Sequence, residues 1–121
     1  MAGFGYVDLY VLPVPKKFIP FYRRLSTKMG KVMRKHGCLE YREFLGNDLR
    51  VKKMVSPLTM VKVKKGEVLV FAVTGFRSKA HRNQVLKRTM KDPVVKKMCQ
   101  SPMPFDHKRM VYGGFSTIVK V

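Results

Sequence analysis

An α+β domain of ferredoxin-like, split βαβ order with one antiparallel sheet is the fold this 121-residue sequence predicts. Three observations carry it. The chain reads in order as strand, helix, strand, strand, helix, strand. Its longest amphipathic stretch, Lys16 to His36, lies between two strand-like segments, GYVDLYVLPV and CLEYREFL. A third segment, EVLVFAVTGF at Glu67 to Phe76, is apolar almost without interruption, the pattern of a strand whose sheet is covered on both faces. One helix layer covers one face, so a second copy's sheet is the simplest cover for the other, and a homodimer is expected.

Gly5 to Val14 is rich in β-branched and aromatic residues, and Pro13 and Pro15 close it because neither can donate to a ladder. From Lys16 to His36 the apolar positions Phe18, Phe21, Tyr22, Leu25, Met29, Val32 and Met33 follow helical spacing. Lys17, Arg24, Lys28, Lys31 and Lys35 form a separate stripe, Gly37 stops the helix, and Pro20 fits only near its first turn. Cys38 to Leu45 is the second strand, closed by the turn signal Gly46-Asn47-Asp48. Leu49 to Gly66 is mixed, with a short alternation at Met60 to Lys64 that suits a partly exposed edge strand. After the Glu67 to Phe76 strand, Ser78 is placed to cap a helix through Met90, and Asp92-Pro93 opens a short helical piece, Val94 to Cys99. The last strand is expected from Arg109 to Val119.

This length suits a single domain over residues 1–121, which buries roughly two thirds of its extended surface. With 45% hydrophobic and 27% charged residues the composition is globular, and no apolar run approaches the ~20 residues of a membrane span. Asp8 and Pro13 interrupt the only candidate for a secretory leader, so a cytoplasmic protein with no membrane association is expected. Cys38 and Cys99 lie far apart without metal-ligand spacing, so they are read as reduced thiols, and neither metal nor cofactor is expected. Twenty-six Lys and Arg against seven Asp and Glu give a net charge of +19, so any polymeric partner should be anionic.

Asp8 is an acid within an apolar strand, on the face of Tyr6, Tyr10 and Leu12 by period-two alternation. A buried carboxylate needs a partner, and two cations qualify: Arg82, inward on the second long helix beside Val85, Leu86, Thr89 and Met90, and Arg109. Both a structural ion pair and a ligand-binding or catalytic carboxylate fit these residues. His36 falls at a helix C-terminus, where a donor ring complements free carbonyls, and His81 sits at the edge of the second helix face. Nucleophile-elbow, dinucleotide and phosphate-loop patterns are missing, which disfavours enzymes of those kinds. In MPFDHKRMVYGGF, Met103 to Phe115, Phe105 anchors a loop, Asp106 suits an Asx turn, and Gly113-Gly114 marks a bulge or a close approach by another group.

Tyr6-Val7-Asp8, Val11 to Pro15, His36-Gly37 with Leu39-Glu40-Tyr41, Arg77-Ser78 with Ala80-His81-Arg82, Asp92-Pro93, and Met103 to Asp106 with Lys108 to Phe115 form a series of blocks. Together they resemble the YbaA-like family of small bacterial proteins. The resemblance spans nearly the whole chain and implies a dimeric α/β barrel, two ferredoxin-like sheets packed face to face, in a family without an established activity. The chain departs from the pattern at Leu9, at His107 and in its many outward Lys and Arg residues.

These readings converge on a small cavity between sheet and helices, lined by Asp8, Tyr10, His81, Arg82, Arg109 and Tyr112, that takes a small anionic ligand through charge-assisted hydrogen bonds. The alternatives are a basic protein that binds RNA or DNA nonspecifically through phosphate contacts, and, by fold analogy, cofactor-free oxidation or proton transfer.

Overall fold

The computed structural model describes residues 4–121. Strands β1 Tyr6–Pro15, β2 Glu40–Leu45, β3 Glu67–Phe76 and β4 Val111–Ser116 form one antiparallel sheet in the order β2-β3-β1-β4. Helices α1 Ile19–Lys35, α2 Pro57–Met60, α3 Lys79–Lys91 and α4 Pro93–Met98 join them, with 3-10 turns at Lys16–Phe18 and His107–Arg109. This is the ferredoxin-like split βαβ arrangement predicted from the sequence. The two long apolar strands, β1 and β3, take the centre, and the shorter β2 and β4 form the edges. β1 runs on through both prolines because β4 pairs no further than Val11, which leaves β3 as the one neighbour of that stretch.

Local chemistry sets the ends of the helices. Pro20 lies in the first turn of α1, where its missing N–H costs nothing. Gly37, at φ 111°, supplies the left-handed residue that ends the same helix. Ser78 caps α3 by accepting from the His81 N–H at 3.1 Å, and Asp92 caps α4 by accepting from the Val94 N–H at 2.9 Å. Residues 60–64 correct the expectation of an edge strand. Ser56 accepts from the Leu58 N–H and Pro57 opens the short helix α2, after which Lys62 turns the chain at φ 54°. The last strand is also shorter than expected, because Asp106 caps the 3-10 turn that holds Arg109 and delays the ladder to Val111.

All the long helices lie on one face of the sheet, over two buried clusters: Tyr6, Met33, Cys38, Phe76 and Val85 at one end, and Leu12, Val14 and Val70 at the other. The opposite face carries Val7, Leu9, Val11, Phe44, Phe71, Val73, Val111 and Phe115, which the register places together. Residues from the 46–66 segment cover its end at Leu69, but Phe44 remains 47% and Phe115 52% exposed. Within one chain the apolar β3 strand therefore has one covered face.

Candidate functional site

Asp8 is completely buried in the middle of β1 on the helix-facing side. Arg82, in the first turn of α3, donates from Nη1 to Asp8 Oδ1 at 2.7 Å and also to the Tyr112 hydroxyl, with its guanidinium 5.2 Å from the centre of the Tyr6 ring. Tyr112 faces Tyr10 across β4 and β1, ring centres 4.9 Å apart. One polar point thus ties two strands to a helix, and Arg82, not Arg109, is the partner of Asp8. Burial lifts the Asp8 carboxyl above its ordinary value, while the Arg82 charge and hydrogen bonds from Tyr112 and Arg82 pull it back. Its Oδ2 has no partner among the described residues. The close approach read from the glycine pair is intramolecular: a Cβ on Gly114 would stand 2.8 Å from Tyr6 Cζ.

His81 and Arg109 lie away from this network. The His81 Nδ1 accepts from the Arg77 N–H at 3.0 Å, and burial lowers the ring's affinity for a proton, so it serves as a neutral acceptor where β3 passes into α3. Arg109 donates to both Glu67 oxygens at 2.7 and 2.6 Å and to Asp106 at 3.0 Å. This fork holds both carboxyls below their ordinary values and fastens the turn before β4 to the start of β3. His36 ends α1 as expected, but where its ring was expected to complement free carbonyls its Nε2 lies 2.7 Å from Asp92 Oδ2.

A cavity of about 260 Å³ lies between the sheet and helices α1 and α3. Tyr10, Ala72 and Thr74 form its floor, Tyr22 and Met29 one wall, Leu86 and Thr89 the other, and Phe105 one end. Of the six residues expected to line such a cavity, Tyr10 alone does so, because the cations are held in ion pairs elsewhere. The residue missed from the sequence is Glu43. Tyr22 and Ser26, one turn apart on α1, both donate to its carboxylate, and Tyr41, two residues back on the same strand face, donates at 3.4 Å. A Cβ on Gly30 would lie 2.7 Å from Tyr41 Cδ1, so this glycine lets the ring tuck beneath α1. Burial raises the Glu43 carboxyl against the pull of the Tyr22 and Tyr41 hydrogen bonds. Burial first, and the Glu43 charge second, push both phenols above their ordinary range, so they stay protonated donors. Thr74 and Thr89, both buried on the cavity wall, have hydroxyls without a partner among the described residues.

Residues 5–107 match the family model described as a protein of unknown function, DUF1428. The chain belongs to this family. It is 34% identical over 114 residues to the uncharacterized protein YbaA of Escherichia coli K12, covering 94% of this chain and 97% of that protein, and the same holds for YbaA of Shigella flexneri. Among solved structures, it is similar to a dimeric ferredoxin-like protein from an uncultured marine organism (TM-score 0.54, 10% identity, 97% of this chain and 99% of that one). It is likewise similar to a Caulobacter crescentus CB15 protein whose name proposes an antibiotic biosynthesis monooxygenase (TM-score 0.53, 14% identity, 96% and 92%). At these identities the likeness is one of fold.

What this DUF1428 domain can do chemically follows from its cavity wall. An apolar body is accommodated by Met29, Leu86 and Phe105, and polar contacts are available from Glu43 and the two threonine hydroxyls. No group of three or more His, Cys, Asp or Glu residues able to hold a metal occurs among the described residues, and no helix there is long and apolar enough to cross a membrane. The remaining charge is spread outward: Arg23, Arg24, Lys28, Lys31, Arg34 and Lys35 are all exposed on α1.

Proposed function

We propose that this chain is a cytoplasmic, homodimeric small-molecule-binding protein whose ligand occupies the cavity between the sheet and helices α1 and α3. The observation that carries the reading is the pair of buried, unpartnered hydroxyls of Thr74 and Thr89 on a largely apolar wall. Buried polar groups without partners are few in folded proteins, and two on one cavity favour a molecule that bonds to both. The volume of about 260 Å³ approaches the lower end of the roughly 300–1,000 Å³ usual for ligand pockets. Among the described residues Glu43 is the one carboxyl on the wall, and the one cation there, Arg42, is 61% exposed and pairs with Glu40 at 3.2 Å, which leaves little to balance an anionic ligand buried beside Glu43. The ligand class is accordingly a small, mostly apolar molecule with hydrogen-bonding groups, rather than the anion expected from the sequence. Native mass spectrometry of protein from its own host, compared with an Ala72→Leu variant that fills the floor, tests this. A co-purifying mass lost in the variant supports the reading; a bare wild-type protein that also shows no thermal shift with indole or p-cresol overturns it.

The homodimer rests on the open sheet face, where Phe44, Phe71 and Phe115 stay exposed in one chain, and the similar marine protein is described as dimeric. Proton transfer or cofactor-free oxidation at the cavity is the reaction class to assay on any ligand found, by fold analogy alone, with Glu43 as the proton-transfer group.

A second reading, nonspecific binding of RNA or DNA, is favoured by the exposed cations of α1 in a chain of net charge +19. Titration with an unrelated duplex over a range of salt decides it, since phosphate binding must weaken steeply as salt rises. Absence of binding at low salt rejects it.

A further inference from the structure

The segment after β4 has apolar side chains and nothing to pack them on. β4 pairs with β1 as far as Ser116 opposite Tyr6, and Thr117 adds one more bond, its N–H donating to the Gly5 carbonyl at 2.9 Å. Beyond it, Ile118 is 93% and Val119 74% exposed, in a β-branched IVKV run that favours an extended chain.

The open sheet face carries a groove of about 460 Å³ with the complementary character. Val11, Phe44, Phe71 and Val111 form its floor, one row across all four strands, and Leu49 and Met60 wall one side. No charged residue lines it among the described residues, and Met60 is 68% exposed. The segment cannot enter the groove of its own chain. β4 starts at Val111, beside the groove, and leaves at Ser116, about 17 Å away at ~3.4 Å per residue, more than residues 118–121 can span in returning, and the Thr117 bond to Gly5 carries the chain one residue further from the groove.

We infer that residues 118–121 of each chain lie in the groove of a second copy, so that two copies exchange these segments across the sheet faces. A two-fold axis perpendicular to the strands brings the Ser116 end of one sheet over the Val111 end of the other, and the same contact then forms twice. In an extended segment Val119 and Val121 fall on the side opposite Lys120, and both this apolar side and the groove are left bare in the single chain. This inference rests on the homodimer proposed above and adds what that dimer needs in order to close.

The test uses the full chain with Cys99→Ser, which removes the exposed thiol and leaves the buried Cys38. Met60→Cys and Val119→Cys are introduced together, and the protein is mildly oxidised and run on a denaturing gel, with sedimentation measured in parallel on the reduced form. The expected result is a dimer in sedimentation and a reducible covalent dimer on the gel that neither single-cysteine variant forms. Val119→Asp should weaken the dimer at least tenfold while circular dichroism stays unchanged. A sedimenting dimer without the crosslink, or with only an intrachain disulfide, overturns the exchange and leaves the dimer standing. A monomer in sedimentation overturns both.

Discussion

Replacing Arg82 by Met retains much of the side chain's bulk and removes the cation that Asp8 faces. The carboxyl then has two ways to remain in the fold. Ionised and unpaired, it costs several kcal/mol in a site with no exposed surface. Protonated, from an ordinary value of 3.8, it costs about 1.4 kcal/mol for each pH unit above that value, hence roughly 4 kcal/mol at pH 7 and roughly 1.6 kcal/mol at pH 5. The cheaper route sets the ceiling. Burial already raises the Asp8 carboxyl in the native protein, so part of this cost is present before the change. The expected loss is therefore about 2–4 kcal/mol at pH 7 and less than half of that at pH 5. The sign follows from linkage: a carboxyl raised in the folded state binds its proton more tightly there, so stability falls as pH rises, and the variant gains most from acid. Urea unfolding of both proteins at the two pH values measures the difference. Asp8→Leu combined with Arg82→Met should recover most of the loss, because no buried charge remains. A loss below about 1 kcal/mol at pH 7, or one equal at both pH values, would refute the reasoning.

Glu43→Gln should flatten the pH dependence of stability above about pH 4.5, because the native carboxyl is raised by burial and stability falls as pH rises through that range; equal urea midpoint slopes for variant and wild type would contradict this. His81 acts with the opposite sign: its folded form resists protonation, so its contribution is complete above pH 6.5 and is lost as pH falls below it, and His81→Gln should reduce that acid sensitivity in the same unfolding assay. Gly114→Ala should cost about 1–3 kcal/mol in urea unfolding, since the new methyl must displace the Tyr6 ring that lies under Arg82. An unchanged midpoint would mean that the ring moves freely.

Period-two and helical spacing were enough to bring Asp8 and Arg82 to one side of the sheet, because each pattern says which face a residue takes. They could not rank Arg82 against Arg109. That choice depends on the turn at Asp106, which aims Arg109 at Glu67 at the far end of β3, a pairing across 42 positions. Glu43 shows the same boundary more sharply. Tyr22 entered the helix as an apolar position, and nothing in the spacing of Ser26, Tyr41 or Glu43 marked them as its partners. Only the packing of α1 on β2 makes them one cluster, and no local pattern encodes that distance. At residues 60–64 alternation suggested an edge strand, but the helix that Ser56 caps runs to Met60 and the turn at Lys62 follows it, so the alternation has no extended backbone to act on.

The placement of β1 also bears on how the chain is made. It is synthesised well before its two ladder partners, β3 and β4, which begin at residues 67 and 111. Until Glu67 and the residues after it have been made, this ten-residue apolar strand has neither neighbour, the condition in which nascent segments associate with one another. Asp8 interrupts it at that stage as a fully hydrated charge. The acid that makes Arg82 necessary in the finished fold thus guards the unfinished one, and it does so until the stretch that carries its partner has been synthesised.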